Sequence, residues 1–384
     1  MDNFIVSARK YRPSTFNSVV GQEHITGTLK NAIKSGQVAQ AFLFCGPRGV
    51  GKTTCARIFA KALNCDHLTE NFEPCNECES CKAFNASASF NVYELDAASN
   101  NSVDDIRALT EQVRISPVGA KFKVYIIDEV HMLSQAAFNA FLKTLEEPPA
   151  YAKFILATTE KHKILPTILS RCQVYDFKRI RDIDIVKHLQ YVAQSENVNA
   201  EEEALHIVAN KADGALRDAL SIFDQLVSFT DKNITYQAAI ENLNVLDVDN
   251  YFKMVVYLFD VDSSKALLLF DEILSKGFDG QNFVAGLAAH FRNLLMAQNG
   301  NTTQLMEVSD AIKAKFREQA QKIDKTLALR ALDITNNCDF NYKASNNKRL
   351  SVEICLMQIN ANYVYVKKRM GAPQAPVRQS REGN

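Results

Sequence analysis

The sequence predicts an α/β domain followed by all-α domains, and three observations carry that prediction. The first 178 residues alternate strand-like and helix-like segments, the pattern of a parallel sheet with helices on its faces. A glycine-rich loop stands between the first apolar strand and the helix after it. From about residue 180 the strand signals stop and helical periodicities follow one another.

Strands are expected at 41–44, 92–95, 122–127, 154–157 and 174–177. Buried parallel strands read as continuous apolar runs, and 122–127 fits apart from Lys123. A helix over 136–147 follows from the spacing of Phe138, Phe141, Leu142 and Leu145, and Pro148 and Pro149 stop it. Helices at 183–195, 202–211 and 216–229 make a small all-α domain, 179–243, after the sheet domain, 1–178. A third region, 244–368, is helical by pattern: Leu267, Leu268, Phe270 and Ile273, then Val284, Leu287, Phe291 and Leu295, mark its apolar faces. Residues 369–384 are rich in Pro, Gln, Arg and Gly and are expected to form a disordered tail or linker.

A length of 384 residues, 47% hydrophobic and 23% charged, suits two or three globular domains. No apolar run approaches the roughly 20 residues needed to span a bilayer. The first ten residues lack the features of a secretory signal, so the expected location is the cytoplasm. In that reducing compartment the nine cysteines point to a metal site or to buried thiols before disulfides. Net charge is zero, which excludes a bulk basic field for nucleic acid. Two local clusters remain, Arg9, Lys10 and Arg12, then Lys161, Lys163, Arg171, Lys178, Arg179 and Arg181; each also reads as solvated surface.

Gly46-Pro47-Arg48-Gly49-Val50-Gly51-Lys52-Thr53, with Thr54 next, satisfies the P-loop pattern in the strand–loop–helix setting it requires. The glycines let backbone N–H groups turn toward phosphates. Lys52 supplies a point charge for the β and γ phosphates, and Thr53 offers a hydroxyl to magnesium. Asp128 and Glu129 end an apolar strand at the edge where nucleotide should lie. Asp128 suits magnesium, and Glu129 suits activation of the attacking water. ATP hydrolysis is the expected chemistry.

Cys65, Cys75, Cys78 and Cys81 are separated by nine, two and two residues. Four thiolates make the closed set of a structural zinc site, a staple for an insertion over about 64–84; an iron–sulfur cluster is the competing reading. Cys45, Cys55, Cys172, Cys338 and Cys355 are scattered and read as buried small residues.

The segment 8–24, the P-loop, the four cysteines, Asp128-Glu129-Val130-His131, Ala157-Thr158-Thr159-Glu160, Leu169-Ser170-Arg171-Cys172 and Gly214-Ala215-Leu216-Arg217-Asp218 occur in this order. Together they resemble the gamma/tau (DnaX) family of bacterial DNA polymerase III clamp-loader subunits, AAA+ ATPases, over nearly the whole chain. The resemblance implies Thr158 as the sensor near the γ-phosphate, Arg217 as the second sensor and Arg171 as an arginine finger for a neighbouring subunit's ATP. It further implies that Arg9, Tyr11, Pro13 and Val20 pack the adenine, that 179–243 is a lid, and that 244–368 is an oligomerisation collar. The implied partners are delta and delta prime subunits in a hetero-pentamer, the beta sliding clamp, primed-template DNA and, for a longer form, polymerase core and helicase. Arg107, Lys143 and Lys163 are candidates for phosphate contacts to DNA. A non-hydrolysing scaffold subunit of the same assembly and a different AAA+ machine are the alternatives, and no polymerase active site occurs in the sequence.

Overall fold

The computed structural model describes residues 5–370 except 261 and 307, with side chains through residue 365. Five parallel strands form one sheet: β1 (Ala41–Cys45), β2 (Val92–Asp96), β3 (Lys123–Asp128), β4 (Ala152–Thr158) and β5 (Gln173–Asp176). Their order is β2-β3-β4-β1-β5. Every expected strand is present, with ends shifted by at most two residues.

A pleated strand sends successive side chains to opposite faces. Phe42 and Phe44 of β1 accordingly enter one core layer, whereas Ala41, Leu43 and Cys45 enter the other. Ile25, Leu29, Cys55 and Phe59 from the helices Glu23–Ser35 and Lys52–Leu63 complete the first layer. Ile106, Leu109, Phe138 and Phe141 from Val103–Val113 and Gln135–Glu146 complete the second. Phe42 and Phe59 meet edge to face at 5.0 Å. Truncating either to alanine is expected to cost about 3–5 kcal/mol.

Lys123, the exception in the third strand, is 3% exposed. Its stem is buried and its ammonium donates to Gln112 O and Ile115 O at 2.9 and 3.2 Å, so the apolar run tolerates it. Ser134 starts the helix Gln135–Glu146 by accepting the Ala137 N–H at 3.2 Å. Because β4 lies between β1 and β3, the carboxyl ends of three strands bring Gly46, Thr158 and Asp128 to one edge, where open α/β sheets bind ligands.

Three helices follow the sheet, Asp182–Ser195, Glu202–Ala212 and Leu216–Thr230, with a parallel pair of two-residue strands, Asn199–Ala200 and Asn233–Ile234, that the sequence did not suggest. The chain divides into two compact units at Ile234 and Thr235. The helix Tyr236–Leu243 falls in the second, where the Tyr236 hydroxyl donates to Asp247 at 3.2 Å.

Among its described residues the second unit is wholly helical, built from Tyr236–Leu243, Val248–Phe259, Ser263–Ser275, Gly280–Ala297, Asp310–Gln321, Lys325–Tyr342 and Lys348–Met370. Phe270, Ile273, Val284, Leu287 and Phe291 are buried as expected. Leu268 is not: it is 69% exposed, because the buried set Ala266, Leu269, Phe270 and Ile273 defines a stripe one residue out of phase with it. The last helix runs through Met370, and residues 371–384 of the expected tail lie outside the described residues. No helix among the described residues is long and apolar enough to cross a membrane.

Candidate nucleotide and metal sites

The loop after β1 takes conformations that side chains resist. Gly46 has φ 145°, and a Cβ there would lie 2.4 Å from Phe177 O; at Gly49, φ 76°, it would lie 2.9 Å from the Ala215 Cβ. The helix Lys52–Leu63 begins at once, so its positive end and free N–H groups abut the loop. Lys52 Nζ donates to Gly46 O and Pro47 O at 2.8 and 2.7 Å. Burial lowers its pKa from the ordinary lysine value, against the pull of Glu129 and Asp128. Thr53 Oγ1 donates to Asp128 Oδ2 at 2.6 Å. The hydroxyl and carboxylate assigned to magnesium are thus in contact, two hard oxygens of the kind that ion takes.

These groups line a cavity of about 530 Å³, within the roughly 300–1,000 Å³ of small-molecule sites. Arg48, Gly49, Val50, Gly51, Thr54 and Glu129 share that wall. Tyr11, Pro13 and Val20 border it with Ile180, Leu216 and Leu220, an apolar side suited to a flat base. Arg217 also lines it, its N–H donating to Gly49 O at 3.4 Å. Gly46 and Pro47 form the loop behind the lining.

Arg9 departs from expectation. It is exposed and outside the lining, because the one-turn helix Ser7–Lys10 turns Ala8 inward and Arg9 outward. Arg12, read from sequence only as part of a basic cluster, borders the cavity, and its Nε donates to Thr54 Oγ1 at 3.2 Å. The Tyr11 hydroxyl donates to Glu196; burial, reinforced by that carboxylate, pushes its pKa up to about 12.

Glu129 has left-handed backbone, φ 47°. Its Oε2 accepts from Thr159 N and Oγ1 at 3.1 and 3.0 Å and lies 3.4 Å from His131 Nδ1. Thr158 is fully buried and outside the lining: its Oγ1 pairs with His131 Nδ1 and accepts from Glu160 N, both at 3.0 Å. The sequence quoted His131 and Thr159 without giving them a role. Arg171 lies away from this cavity, its Nη2 2.8 Å from Glu146 Oε1 and its Nη1 donating to Thr167 O at 2.7 Å.

The sulfurs of Cys65, Cys75, Cys78 and Cys81 lie within 4.8 Å of one another. Cys75 Sγ accepts N–H groups from Cys78 and Glu77 at 3.3 and 3.4 Å, which draw its pKa down to about 6. Cys65 and Cys78 accept similarly from Cys75 N and Cys81 N, at 3.4 Å each. Four converging sulfurs served by backbone donors fit a tetrahedral thiolate metal site and are compatible with zinc. Glu73, in the same insertion, accepts from Phe16 N and Asn17 N at 2.7 and 2.9 Å and pairs with Lys30, so the insertion braces the segment leading to Val20. Of the other cysteines, Cys45, Cys55 and Cys355 are buried and Cys172 and Cys338 half-buried. Cys338 and Cys355 lie on two consecutive helices, each thiol donating to a backbone carbonyl of the other helix, Ser351 O at 3.6 Å and Ile334 O at 3.9 Å.

The DNA candidates are not gathered into a basic surface by any contact between them. Arg107 pairs with Asp104 at 3.2 Å, Lys163 with Glu160 at 2.7 Å, and Lys143 is exposed. The second basic cluster is largely neutralised in place, through Lys161–Asp176, Arg171–Glu146, Arg179–Asp213 and Arg181–Asp184.

Residues 21–181 match the family model described as DNA polymerase III, delta subunit, and residues 184–232 that of the DNA polymerase III clamp loader subunit, ATPase lid domain. The chain is 42% identical over 351 residues to DNA polymerase III subunit tau of Bacillus subtilis, covering 91% of this chain and 62% of that one. It is 38% identical over 326 residues to subunit tau of Escherichia coli, covering 84% and 50%. Against subunit gamma of Buchnera aphidicola it is 32% identical over 357 residues, covering 93% and 99%. The chain thus spans half to two-thirds of the tau relatives and nearly all of the gamma relative. With the lid-domain match and a gamma relative covered almost end to end, the chain belongs to the gamma/tau family of DNA polymerase III clamp-loader subunits, AAA+ proteins.

Proposed function

We propose that the chain is the ATP-hydrolysing motor of its clamp loader, opening the ring-shaped beta clamp and placing it on primed DNA during replication. The observation that supports this best is the 2.6 Å contact of Thr53 with Asp128 at the mouth of the P-loop, beside Glu129. A magnesium ion bound by Thr53 and Asp128 would neutralise phosphate charge. Lys52 and Arg217 then hold phosphates, Tyr11, Pro13, Val20 and Arg12 hold the nucleoside end, and Glu129 orients the water and takes its proton. Thr158 keeps a sensor role only through His131, since its hydroxyl is turned there.

Arg171 serves the ATP of a neighbour, a reading supported by its exposed position outside its own cavity. Cys65, Cys75, Cys78 and Cys81 hold zinc as a structural staple. The lid is 179–243 and the collar 244–368; the collar joins delta and delta prime partners in a hetero-pentamer, and the exposed Leu329, Phe340, Leu350 and Met357 suit that task. Arg107, Lys143 and Lys163 meet DNA phosphates in the cytoplasm, and a longer form reaches polymerase core and helicase.

The test is ATP turnover by the chain assembled with its cognate partners, with and without clamp and primed template. Stimulation by both, reduced by about 10³-fold in Arg171→Ala with ATP binding intact, is the expected result. An unstimulated rate, equal in the variant, would sink the proposal.

A further inference from the structure

The ends of β3 and β4 carry a polar network around Glu129 in which the motor reading gives Thr159 no role and His131 only its contact with Thr158. Glu129 Oε2 accepts two hydrogen bonds from Thr159, one from the backbone N–H at 3.1 Å and one from the hydroxyl at 3.0 Å. His131 Nδ1 stands 3.4 Å from the same oxygen and 3.0 Å from Thr158 Oγ1. On its far side His131 Nε2 lies 3.0 Å from Glu160 Oε2, which Lys163 also holds at 2.7 Å. The imidazole is 7% exposed, so its ring is fixed by packing as well as by these partners. Among the described residues Glu129 Oε1 has no protein hydrogen bond, and Glu129 lines the nucleotide cavity.

The arrangement is asymmetric in a way that suits a base. One carboxylate oxygen is saturated by donors, and the other is left for solvent. A carboxylate on a left-handed backbone with its rotamer unheld would sample several positions; two donors on one oxygen select one. We propose that Thr159 and His131 are the positioning residues of Glu129: Thr159 anchors Oε2, His131 closes the third side of that oxygen, and Oε1 is thereby presented to the attacking water. This rests on the reading of Glu129 as the hydrolytic base. In the step itself the water oxygen bonds to the γ-phosphorus, the bond from that phosphorus to the β-bridging oxygen breaks, ADP leaves, and the water proton passes to Oε1.

Paired substitutions at two positions separate positioning from mere support. Thr159→Ala keeps the backbone donor and deletes the hydroxyl, whereas Thr159→Ser restores it. For His131, asparagine places a polar atom near the Nδ1 position and leucine places none. In the assembled loader with clamp and primed DNA, Thr159→Ala and His131→Leu are expected to lower kcat about tenfold, the value of one charge-assisted hydrogen bond, with the dissociation constant for a fluorescent ATP analogue within about twofold of wild type. Thr159→Ser and His131→Asn should recover to within about threefold of wild type on the same scale. A wild-type or raised kcat in Thr159→Ala would overturn the proposal, as would equal losses in kcat and nucleotide affinity. A second readout needs no turnover: amide exchange at 158–160, followed by mass spectrometry, should accelerate about tenfold in Glu129→Ala because the Thr159 N–H loses its acceptor. Unchanged exchange would overturn the anchoring even in an active enzyme. Absence of wild-type turnover together with accelerated exchange would instead fault the assignment of Glu129 as base and leave the anchoring standing.

Discussion

Lys52 in the first unit and His290 in the second are buried to a similar degree, 6% and 2% exposed, yet their surroundings differ in kind. Lys52 is held by backbone carbonyls of a loop that borders a cavity, with two carboxylates near its charge. His290 sits among Tyr251, Phe252 and Phe316, with Nε2 2.9 Å from Gln319, whose amide donates in turn to Phe252 O. Thr335 and Asn360 of the second unit likewise bond to carbonyls of the same unit. Lys52 and the four cysteines of the first unit stand at a cavity and a sulfur cluster, whereas Gln319, Thr335 and Asn360 of the second bond within their own unit and His290 Nδ1 is buried without a partner among the described residues. What distinguishes the two is thus not burial itself but the cavity and the sulfur cluster beside it, where a ligand would supply the match to buried polar groups.

The contrast is broken most severely at the cysteines. Cys81 is a fully buried member of the cluster. Cys81→Ser should drop bound zinc from about one ion per chain to well below half, a structural zinc site being worth about 10–16 kcal/mol of apparent folding energy in small peptides. Limited proteolysis should then cut within 64–84, and, because Glu73 braces Phe16 and Asn17, ATP affinity should weaken as well. Peptides from the second unit should keep their wild-type protection. An uncut insertion after metal loss would show that it has a core of its own.

Next comes Lys52→Ala, which removes a buried cation facing Glu129 and Asp128. Loss of about 3 kcal/mol of phosphate binding, roughly 100-fold in the dissociation constant, is expected by equilibrium titration with labelled ATP, with unchanged thermal unfolding of the second unit.

The reasons these sites were legible, or not, lie in how far the signal travels along the chain. The P-loop, Asp128 with Glu129, and the four cysteines are encoded in short windows, because phosphate wrapping and sulfur convergence are local geometry. Strand ends moved by one or two residues since the ladder, not composition, sets them. Arg9 and Arg12 are three residues apart, and only the turn of the helix Ser7–Lys10 decides which faces inward. Thr159 follows β4 and His131 follows β3, 28 positions apart in sequence, and they share Glu129 Oε2 only because β4 pairs with β3. The same holds for Glu73 against Phe16 and for Cys355 against Ile334 O. Leu268 was misplaced because four consecutive positions offered three leucines and periodicity alone did not fix the phase.

A third prediction concerns acid. Burial holds His290 neutral, its pKa lowered from 6.5 to about 4, with the Gln319 contact opposing. Below about pH 6.5 the unfolded chain takes up a proton that the folded site refuses until about pH 4. Stability is therefore full above that window and falls through it, by about 3 kcal/mol in all. Hydrogen exchange in the helix Gly280–Ala297 should register the loss, and His290→Phe should flatten it although it takes from Gln319 Oε1 its His290 contact. A slope unchanged in the variant would move the acid sensitivity to another group.

The smallest effect tests whether the second unit frames an assembly. Phe340 is 86% exposed, and Leu329, at 57%, is on the same helix, while Leu350, Ile354 and Met357 recur along the next at helical spacing. A ring that reaches water costs the monomer little to remove, so Phe340→Ser should shift the stability of the isolated chain by no more than about 0.5 kcal/mol. If the face is where partner subunits pack, the same change should weaken assembly by about 1–2 kcal/mol, roughly tenfold, as an aromatic anchor at an interface does. Sedimentation with the cognate partners distinguishes the two cases, and ATP affinity serves as the internal control because it belongs to the other unit. Weakened assembly with unchanged ATP binding would establish that the two units divide the work between them; unchanged assembly would place the partner contacts on a different face of the helical unit.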